Sequence, residues 1–194
     1  MSSAEPATRE RILEAACTLL AKGSAEAASM ARIAKAAGLS RQAVYLHFAS
    51  RAELLIAAAR HVDLARDVDA RLAASRAAET GEARLDAYIE AWGGYIPEVH
   101  AVAAALRAAQ DGDDAARAAW SDRMEAMRHG CAAAVAALAR DGDLTPALDE
   151  AAATDLLFAL LSIEVWEHLA RDRAWPQDRY IAEMKRTARA ALMR

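Results

Sequence analysis

The stretch from Ser29 to Phe48, SMARIAKAAGLSRQAVYLHF, decides how this chain folds. Ser29 and Ser40 each precede a run with helical spacing, and a serine hydroxyl caps a helix by accepting a hydrogen bond from one of its first backbone N–H groups. Gly38 lies between the two runs and can take the positive φ that a tight turn between helices requires. The sequence therefore predicts two short helices joined by a sharp turn.

The small and apolar residues of this stretch match the needs of a helix-turn-helix. That motif has a small residue where its helices approach each other, a glycine in the turn, and an apolar residue that holds the second helix to the core. Ala34, Gly38 and Val44 supply these in the right order. The residues left projecting from the start of the second helix are Arg41, Gln42 and Ala43. Side chains in that position reach base edges in the major groove, so the stretch predicts sequence-specific DNA binding.

Further helices are predicted on both sides of the motif. Apolar residues between Thr8 and Lys22 recur at helical spacing and predict a first helix. Ser50 and Glu53 form a capping box that opens a fourth helix, which we expect to run to about Arg76. The sequence thus predicts a three-helix N-terminal head, joined by a long helix to the rest of the chain.

The composition favours an all-α fold. Of the 194 residues, 55 are alanine, the best helix former, whereas only 8 are glycine and 4 are proline. Few residues are β-branched and no apolar run is long enough to cross a bilayer, which argues against a β-sandwich and a membrane protein. Cys17 and Cys131 lie outside any metal-binding spacing, and we expect both to be buried thiols.

Turn signals divide the rest of the chain into more helices. They lie at Thr80-Gly81, Pro97, Asp111-Gly112-Asp113 and Asp141-Gly142-Asp143. Thr145-Pro146 and Trp175-Pro176 each have the form of a helix start, and the first of them should open a helix that extends to Arg171. We expect about nine helices, with a DNA-binding domain over residues 1–50 and a helical ligand-binding and dimerisation domain over residues 51–194.

The charge is uneven along the chain. The net charge is −4, yet residues 1–60 carry eight Lys and Arg against five Asp and Glu. A mildly basic N-terminal part followed by an acidic body is typical of a nucleic-acid-binding head on a larger partner domain. The N-terminus has no basic segment followed by an apolar one, so we expect no secretory signal and a cytoplasmic protein.

These motifs resemble the tetracycline-repressor (TetR) family of bacterial transcription regulators. The resembling segments are RILEAA at residues 11–16, Lys22-Gly23, IAKAAGLSRQAVYLHF at residues 33–48 and SRAELL at residues 50–55. They have the family's order and spacing over about a quarter of the chain, with Arg51 where lysine is usual.

The resemblance implies roles for the residues that match the family's DNA-contacting positions. Arg41, Gln42 and Ala43 hold the base-reading positions, where Arg suits guanine and Gln suits adenine. The phosphate-contacting positions are held by Ser29, Arg32, Ser40, Tyr45, His47 and Arg51. The alternatives are structural: Tyr45 would cover the edge of the core, Arg41 would be a solvated helix charge, and His47 would be a structural residue packed beside Phe48.

The middle helices are expected to hold a small apolar or amphipathic effector. Aromatic and methionine side chains are typical of such pockets, and the candidates are Trp92, Tyr95, Trp120, Met124 and Met127. The last three of these share one helix face at i, i+4 and i+7. Ordinary core packing is the alternative for each of them.

The last two helices are expected to form a homodimer interface, because one head makes too few contacts for useful specificity. The segment after Pro146 has too many apolar residues for one face, and the final helix has an apolar stripe. The resemblance implies a four-helix bundle with a second copy, through Leu157, Leu161, Ile181, Met184, Ala188 and Leu192. Packing within one chain is the alternative.

Together these features predict a ligand-responsive repressor that binds a palindromic operator in double-stranded DNA and is released by its effector. The alternative is a regulator or architectural protein of the same fold without an inducer. Catalysis is not expected: Glu164 and His168 could point the same way, but the paired ExxH motifs of di-iron bundles are missing. We therefore expect no catalytic residue, metal, cofactor or membrane partner.

Overall fold

The computed structural model describes residues 4–23 and 28–194, and the all-α prediction is confirmed for them. These residues form eleven α-helices, one π-helical turn and no β-strand. The helices are α1 (Ala4–Lys22), α2 (Met30–Ala36), α3 (Arg41–His47), α4 (Arg51–Ala65), α5 (Val68–Arg71), α6 (Ala73–Ala77), α7 (Gly81–Ala109), α8 (Asp114–Asp141), α9 (Glu150–Leu160), α10 (Ile163–Trp166) and α11 (Gln177–Leu192), with the π-helical turn at Glu167–Asp172. Within the same two ranges, no helix has the length and apolar character needed to span a membrane.

The chain divides into two compact units. The first comprises Met1–Arg66 and Val99–Asp122, and the second comprises Asp67–Glu98 and Arg123–Arg194. The helix-turn-helix and α4 thus belong to the first unit. The domain boundary between residues 50 and 51 stays a prediction.

The first unit is built around α1. This helix packs against α2 and α4, and α2 packs against α3. Ile12, Ile33 and Phe48 are fully buried here because they lie on the inward faces of their segments. The Arg9 guanidinium lies over the Phe48 ring, 4.7 Å from its centroid, and closes one edge of this core with a cation–π contact.

The fourth helix is shorter than the sequence predicts. It ends at Ala65 rather than near Arg76, because Asp67 takes a left-handed conformation, with a φ of 45°, which a right-handed helix cannot include. The Asp67 carboxylate accepts a hydrogen bond from the Ala70 N–H at 3.1 Å and caps a new helix, α5. The predicted long joining helix is therefore replaced by α4 followed by the short helices α5 and α6.

The second unit has a hydrophobic core to which α7, α8, α9 and α11 contribute. Its fully buried members include Leu85, Ile96, Leu138, Leu157 and Tyr180. Gly81 allows α7 to approach α8 closely, since a Cβ there would lie 2.6 Å from the Leu138 nitrogen. The Gly81 N–H donates to Asp141 Oδ2 at 2.6 Å, and this hydrogen bond lowers the pKa of the Asp141 carboxyl.

Pro97 lies inside α7 and does not end a helix, contrary to the expectation from its sequence. Proline has no N–H, so it leaves the carbonyl four residues earlier, that of Gly93, without its helical partner. Gln177 replaces that partner: its Nε2 donates to the Gly93 oxygen at 2.7 Å, and its Oε1 accepts from Trp166 Nε1 at 3.0 Å. Because the carbonyl is satisfied, the helix continues through the proline.

The helix predicted from Pro146 to Arg171 is divided into parts. Thr145-Pro146 does not start it; α9 begins later, where the Asp149 carboxylate caps its first turn. Ser162 then caps α10, and the π-helical turn follows. Aspartate and serine hydrogen-bond readily to nearby backbone, and here these local bonds prevail over the apolar periodicity.

The other turn signals are confirmed. The chain turns at Gly112 between α7 and α8, and at Gly142, which has a φ of 80°, after α8. Thr80 Oγ1 accepts a hydrogen bond from the Ala83 N–H at 3.2 Å, at the start of α7. Pro176 precedes the first residue of α11, as the sequence predicts.

Replacing Gln177 with alanine should lower the free energy of unfolding by about 1–3 kcal/mol, because the Gly93 carbonyl and the Trp166 indole N–H each lose a partner. The loss should shrink in a Pro97→Ala background, since the restored N–H can bond to the Gly93 carbonyl. Urea unfolding followed by tryptophan fluorescence measures both variants and their combination. Gln42→Ala, at an exposed position of α3, is the control. Equal losses with and without Pro97→Ala would contradict this explanation.

Candidate functional site

The turn of the helix-turn-helix has the geometry that the sequence predicts. Gly38 has a φ of +66°, with nothing within 4 Å of the place that a Cβ would take. Its N–H bonds to the Lys35 carbonyl at 3.2 Å, and the Leu39 N–H bonds to the Ala34 carbonyl at 2.9 Å. These bonds satisfy carbonyls at the end of α2 and direct the chain into α3.

Serine side chains fix where both helices of the motif begin. Ser29 Oγ accepts a hydrogen bond from the Arg32 N–H at 3.4 Å, and Ser40 Oγ accepts one from the Ala43 N–H at 3.1 Å. Each hydroxyl has a proton of its own to donate beyond these capping bonds. Capping and the predicted phosphate contact are therefore compatible for both serines.

One face of α3 presents large side chains to solvent. Arg41 and Gln42 are exposed, Tyr45 is 39% exposed and Leu46 is 83% exposed. The Arg41 guanidinium lies 5.5 Å from the Tyr45 ring centroid, and its Nη2 donates to the Tyr45 hydroxyl at 3.4 Å. Val44, fully buried, anchors the opposite side of the helix. The helix thus offers a rigid face of hydrogen-bond donors with one exposed apolar side chain.

The other predicted DNA-binding residues differ in exposure. Arg32 and Ser40 are exposed, whereas Ser29, Ala43, His47 and Arg51 are half-buried. Arg51 Nε donates to the Ala28 carbonyl at 3.4 Å and so ties the start of α4 to the residue before the cap of α2. Arg51 therefore has a structural contact that the sequence does not predict.

The predicted ligand-binding residues fall in both units. Trp92 and Tyr95 are neighbours on α7, with ring centroids 6.1 Å apart and ring planes at 53°. Trp92 Nε1 donates to the Leu161 carbonyl at 2.8 Å, and the indole packs on the core that contains Met127. Trp120 lies in the first unit, whereas the other four candidates lie in the second. The second unit thus brings two aromatic candidates into contact at the edge of its core.

A charged pair lies beside Tyr95. Arg71 Nη2, on α5, is 2.6 Å from Glu98 Oε1 on α7, and these side chains are 31% and 25% exposed. The Arg71 guanidinium also lies over the Tyr95 ring, 5.9 Å from its centroid. Tyr95 is buried. This part of the second unit therefore combines a cation, a carboxylate and aromatic faces.

The six residues predicted at a dimer interface lie in the core of their own chain. Leu157, Leu161, Ile181, Met184, Ala188 and Leu192 are each buried. They are buried because the inward faces of α9 and α11 pack with residues of α7 and α8 in one hydrophobic cluster. An interface on these helices must use their outward sides, where Leu156 is 43% exposed and Phe158 and Leu160 are half-buried.

A buried polar cluster joins α7 to α8. The Tyr88 hydroxyl donates to the Met127 carbonyl at 2.9 Å, and the Cys131 thiol donates to the Tyr88 oxygen at 3.8 Å. Burial raises the pKa of Cys131 to about 12 and also raises the pKa of Tyr88, so both groups are neutral at physiological pH. Cys131 is the buried thiol that the sequence predicts, whereas Cys17 on α1 is only half-buried.

Two histidines, one on α8 and one in the π-helical turn, lie close to carboxylates. His129 Nε2 lies 3.0 Å from Glu125, and His168 Nδ1 lies 3.6 Å from Asp172. Over residues 4–23 and 28–194, no group of three or more His, Cys, Asp or Glu side chains is arranged to hold a metal ion.

Several of these residues are not predicted from the sequence. Leu46 could have been identified, because it lies two positions after the buried Val44 and therefore on the outer side of α3. Arg71 with Glu98, and Gln177 with its carbonyl partner, join positions that are distant in sequence. No local pattern marks such pairs.

Comparison with known proteins gives a family match for the N-terminal part. Residues 12–58 match the family model of bacterial regulatory proteins, tetR family. No curated protein matches this chain.

Solved structures share the whole fold. A transcriptional regulator from Saccharomonospora viridis, in complex with choline, has a TM-score of 0.82 at 20% identity, covering 98% of this chain and 100% of that one. The regulator FadR from Bacillus subtilis, in complex with stearoyl-CoA, has a TM-score of 0.74 at 14% identity, covering 94% and 98%. NalD from Pseudomonas aeruginosa, the secondary repressor of the MexAB-OprM multidrug efflux pump, has a TM-score of 0.70 at 24% identity, covering 100% and 99%. Together with the family match, this shared fold confirms the resemblance that the sequence motifs indicate.

Gly38→Ala should destabilise the protein by about 1–2 kcal/mol, because alanine is strained at a φ of +66° even though the space around it is open. Gly112→Ala is the matched control, since its Cβ would also meet nothing within 4 Å and its φ lies outside the left-handed region. Thermal unfolding followed by circular dichroism compares the two. Equal stability of the two variants would show that the turn does not require the left-handed conformation.

Proposed function

We propose that this chain is a ligand-responsive transcriptional repressor. The match of residues 12–58 to the tetR family model and the fold shared with a TetR-family regulator support this proposal. The repressor binds a palindromic DNA operator as a homodimer in the bacterial cytoplasm, and a small apolar or amphipathic effector releases it. The observation that carries this proposal is the exposed face of α3, held in place by the turn at Gly38 and the cap at Ser40.

The chemistry of that face suits the major groove. Arg41 can donate two hydrogen bonds to guanine O6 and N7, and Gln42 can pair with adenine N6 and N7. Leu46 adds an apolar surface that suits the methyl group of thymine. Because Arg41 already lies against the Tyr45 ring, less side-chain entropy is lost when it binds a base. These side chains would specify the sequence.

Phosphate contacts would set the position of α3 in the groove. The proposed donors are the side chains of Ser29, Arg32, Ser40, Tyr45, His47 and Arg51. Ser29 and Ser40 cap α2 and α3, Arg32 lies on α2, Tyr45 and His47 lie on α3, and Arg51 is the first residue of α4. Such contacts raise affinity for any DNA sequence and weaken as salt rises.

The homodimer is proposed to form through the outward sides of α9 and α11. Leu156 is the most exposed large hydrophobic side chain among the described residues of the second unit. A second copy of this chain would cover it, and the two-fold symmetry of such a pair would match a palindromic operator.

An effector can release DNA only if it binds the DNA-free arrangement more tightly than the DNA-bound one. Trp92, Tyr95, Met124 and Met127 are the proposed contacts in the second unit. The choline and stearoyl-CoA complexes belong to other proteins of this fold, and they support by analogy a small-molecule site in this one. A differential affinity of about 1–3 kcal/mol would already change operator occupancy several-fold.

Arg41→Ala should weaken binding to duplexes enriched from a random pool by about 1–3 kcal/mol and relax the preference at one base pair in each half-site. Arg51→Ala should instead weaken binding to all duplexes about equally and reduce the dependence on salt, because it removes a phosphate contact. Fluorescence anisotropy with single-base variants of the enriched duplex measures both effects. Unchanged affinity and preference in Arg41→Ala would refute the assignment of α3 to the groove.

Leu156→Glu should convert the proposed dimer to a monomer, because a charge at this position would be buried between the two copies. Leu64→Glu, at an 83% exposed position of α4, is the matched control and should leave the mass unchanged. Light scattering at micromolar protein concentration gives the masses. A monomeric wild type, or a dimeric Leu156→Glu variant, would contradict the proposed interface.

A further inference from the structure

Arg71 occupies a place in the second unit that suits a cation from outside the chain. Its guanidinium lies over the face of Tyr95 at 5.9 Å from the ring centroid and forms an ion pair with Glu98 at 2.6 Å. A ring face carries negative electrostatic potential, and the carboxylate adds a full negative charge. The position therefore attracts a positive group both through the ring and through the carboxylate.

Trp92 places a second aromatic ring next to Tyr95. Its centroid is 6.1 Å from that of Tyr95, and the planes are tilted by 53°, so the rings meet at an angle. The hydrogen bond from Trp92 Nε1 to the Leu161 carbonyl, 2.8 Å long, fixes the orientation of the indole. Aromatic rings whose faces surround a cation are known to bind quaternary ammonium groups.

The backbone of α7 at Gly94 leaves room for the Arg71 guanidinium. A Cβ at Gly94 would lie 3.9 Å from Arg71 Nη1, so the guanidinium passes over a residue that has no side chain. Arg71 reaches this position from α5, a helix of four residues that begins after the left-handed Asp67. A short helix with few internal hydrogen bonds can shift more easily than a long one.

We propose that Trp92, Tyr95 and Glu98 form a binding site for an organic ammonium cation, and that the Arg71 guanidinium occupies this site until the cation displaces it. A guanidinium and a quaternary ammonium are both weakly hydrated cations, so one can replace the other without a large desolvation cost. The ligand class follows from this exchange: a cationic head of quaternary ammonium type on an apolar or amphipathic body. This inference rests on the proposed function, because it names the effector class for the same aromatic residues.

The exchange also suggests how binding is transmitted. When the ligand takes the place of Arg71, α5 loses its ion pair with Glu98 on α7. The chain enters α5 directly from α4 through Asp67, so the restraint on the segment that follows α4 changes with ligand occupancy. Regulation requires that the ligand bind one state of the protein more tightly than another, and a change in this restraint would provide such a difference.

The test compares choline with its neutral carbon isostere, in which a quaternary carbon replaces the nitrogen, using full-length protein and isothermal titration calorimetry. Choline should bind at least about tenfold more tightly than the isostere, because only the cation gains from the ring faces and the carboxylate. Arg71→Gln should raise the affinity for choline by about tenfold, since the competing guanidinium is gone. If Arg71 only stabilised the fold, Arg71→Gln would instead lower the affinity for choline.

Arg76→Gln is the matched control, because Arg76 forms an exposed ion pair with Asp69 at 2.9 Å on the neighbouring short helices. It should leave choline affinity unchanged. Trp92→Leu should abolish the preference for choline over the isostere. The proposal would be overturned if the wild type bound the two ligands equally or bound neither. It would also be overturned if Arg71→Gln had an unchanged or lower affinity for choline. The comparison of the two ligands with the wild type does not depend on the folding of any variant.

The same preparations are assayed for binding to duplexes enriched from a random pool. Wild-type protein that binds such DNA selectively but does not prefer choline would refute the cation site and leave the proposed function intact. Protein that prefers choline but has no selectivity for any DNA would refute the proposed function instead.

Discussion

The hydrogen bond from Gln177 to the Gly93 carbonyl is the contact on which the arrangement of the second unit depends. Pro97 cannot supply the N–H that this carbonyl would meet in an ordinary helix, and an unsatisfied carbonyl inside a protein is costly. Gln177 is the first residue of α11, so the bond fixes where α11 begins relative to α7. The absence of a side chain at Gly93 brings Ile181 of α11 against the same turn, since a Cβ there would lie 2.6 Å from Ile181 Cγ1.

Three of the residues proposed to bind the effector, Trp92, Tyr95 and Glu98, lie on the same stretch of α7. Trp92 and Tyr95 flank the two glycines, and Glu98 follows the proline directly. Because the helix continues through Pro97, these side chains keep helical spacing, and Arg71 can contact Tyr95 and Glu98 together. In the proposed mechanism, a ligand at this stretch acts on the part of α7 that Gln177 and Ile181 of α11 contact. Such a ligand would therefore act on α11 and, through it, on the proposed dimer.

Local signals in the sequence were sufficient to predict the helix-turn-helix. The caps at Ser29 and Ser40 and the turn at Gly38 depend on hydrogen bonds within a few residues, which the sequence displays directly. The end of α4 and the course of α7 through Pro97 could not be predicted in the same way, because a left-handed aspartate and a distant glutamine decide them. Apolar periodicity likewise identified the buried faces of α9 and α11, but it does not show what covers them. The six residues predicted at the homodimer interface are therefore buried here by other helices of the same chain.

The proposed function depends most of all on α3 reading a specific DNA sequence in two symmetric copies. The most direct test is to enrich genomic fragments with the purified protein at near-physiological salt and to footprint those that are retained. We expect a palindromic site with two protected half-sites whose centres are separated by whole turns of the double helix. Retention of fragments without a common sequence, with an affinity that falls steeply as salt rises, would contradict it.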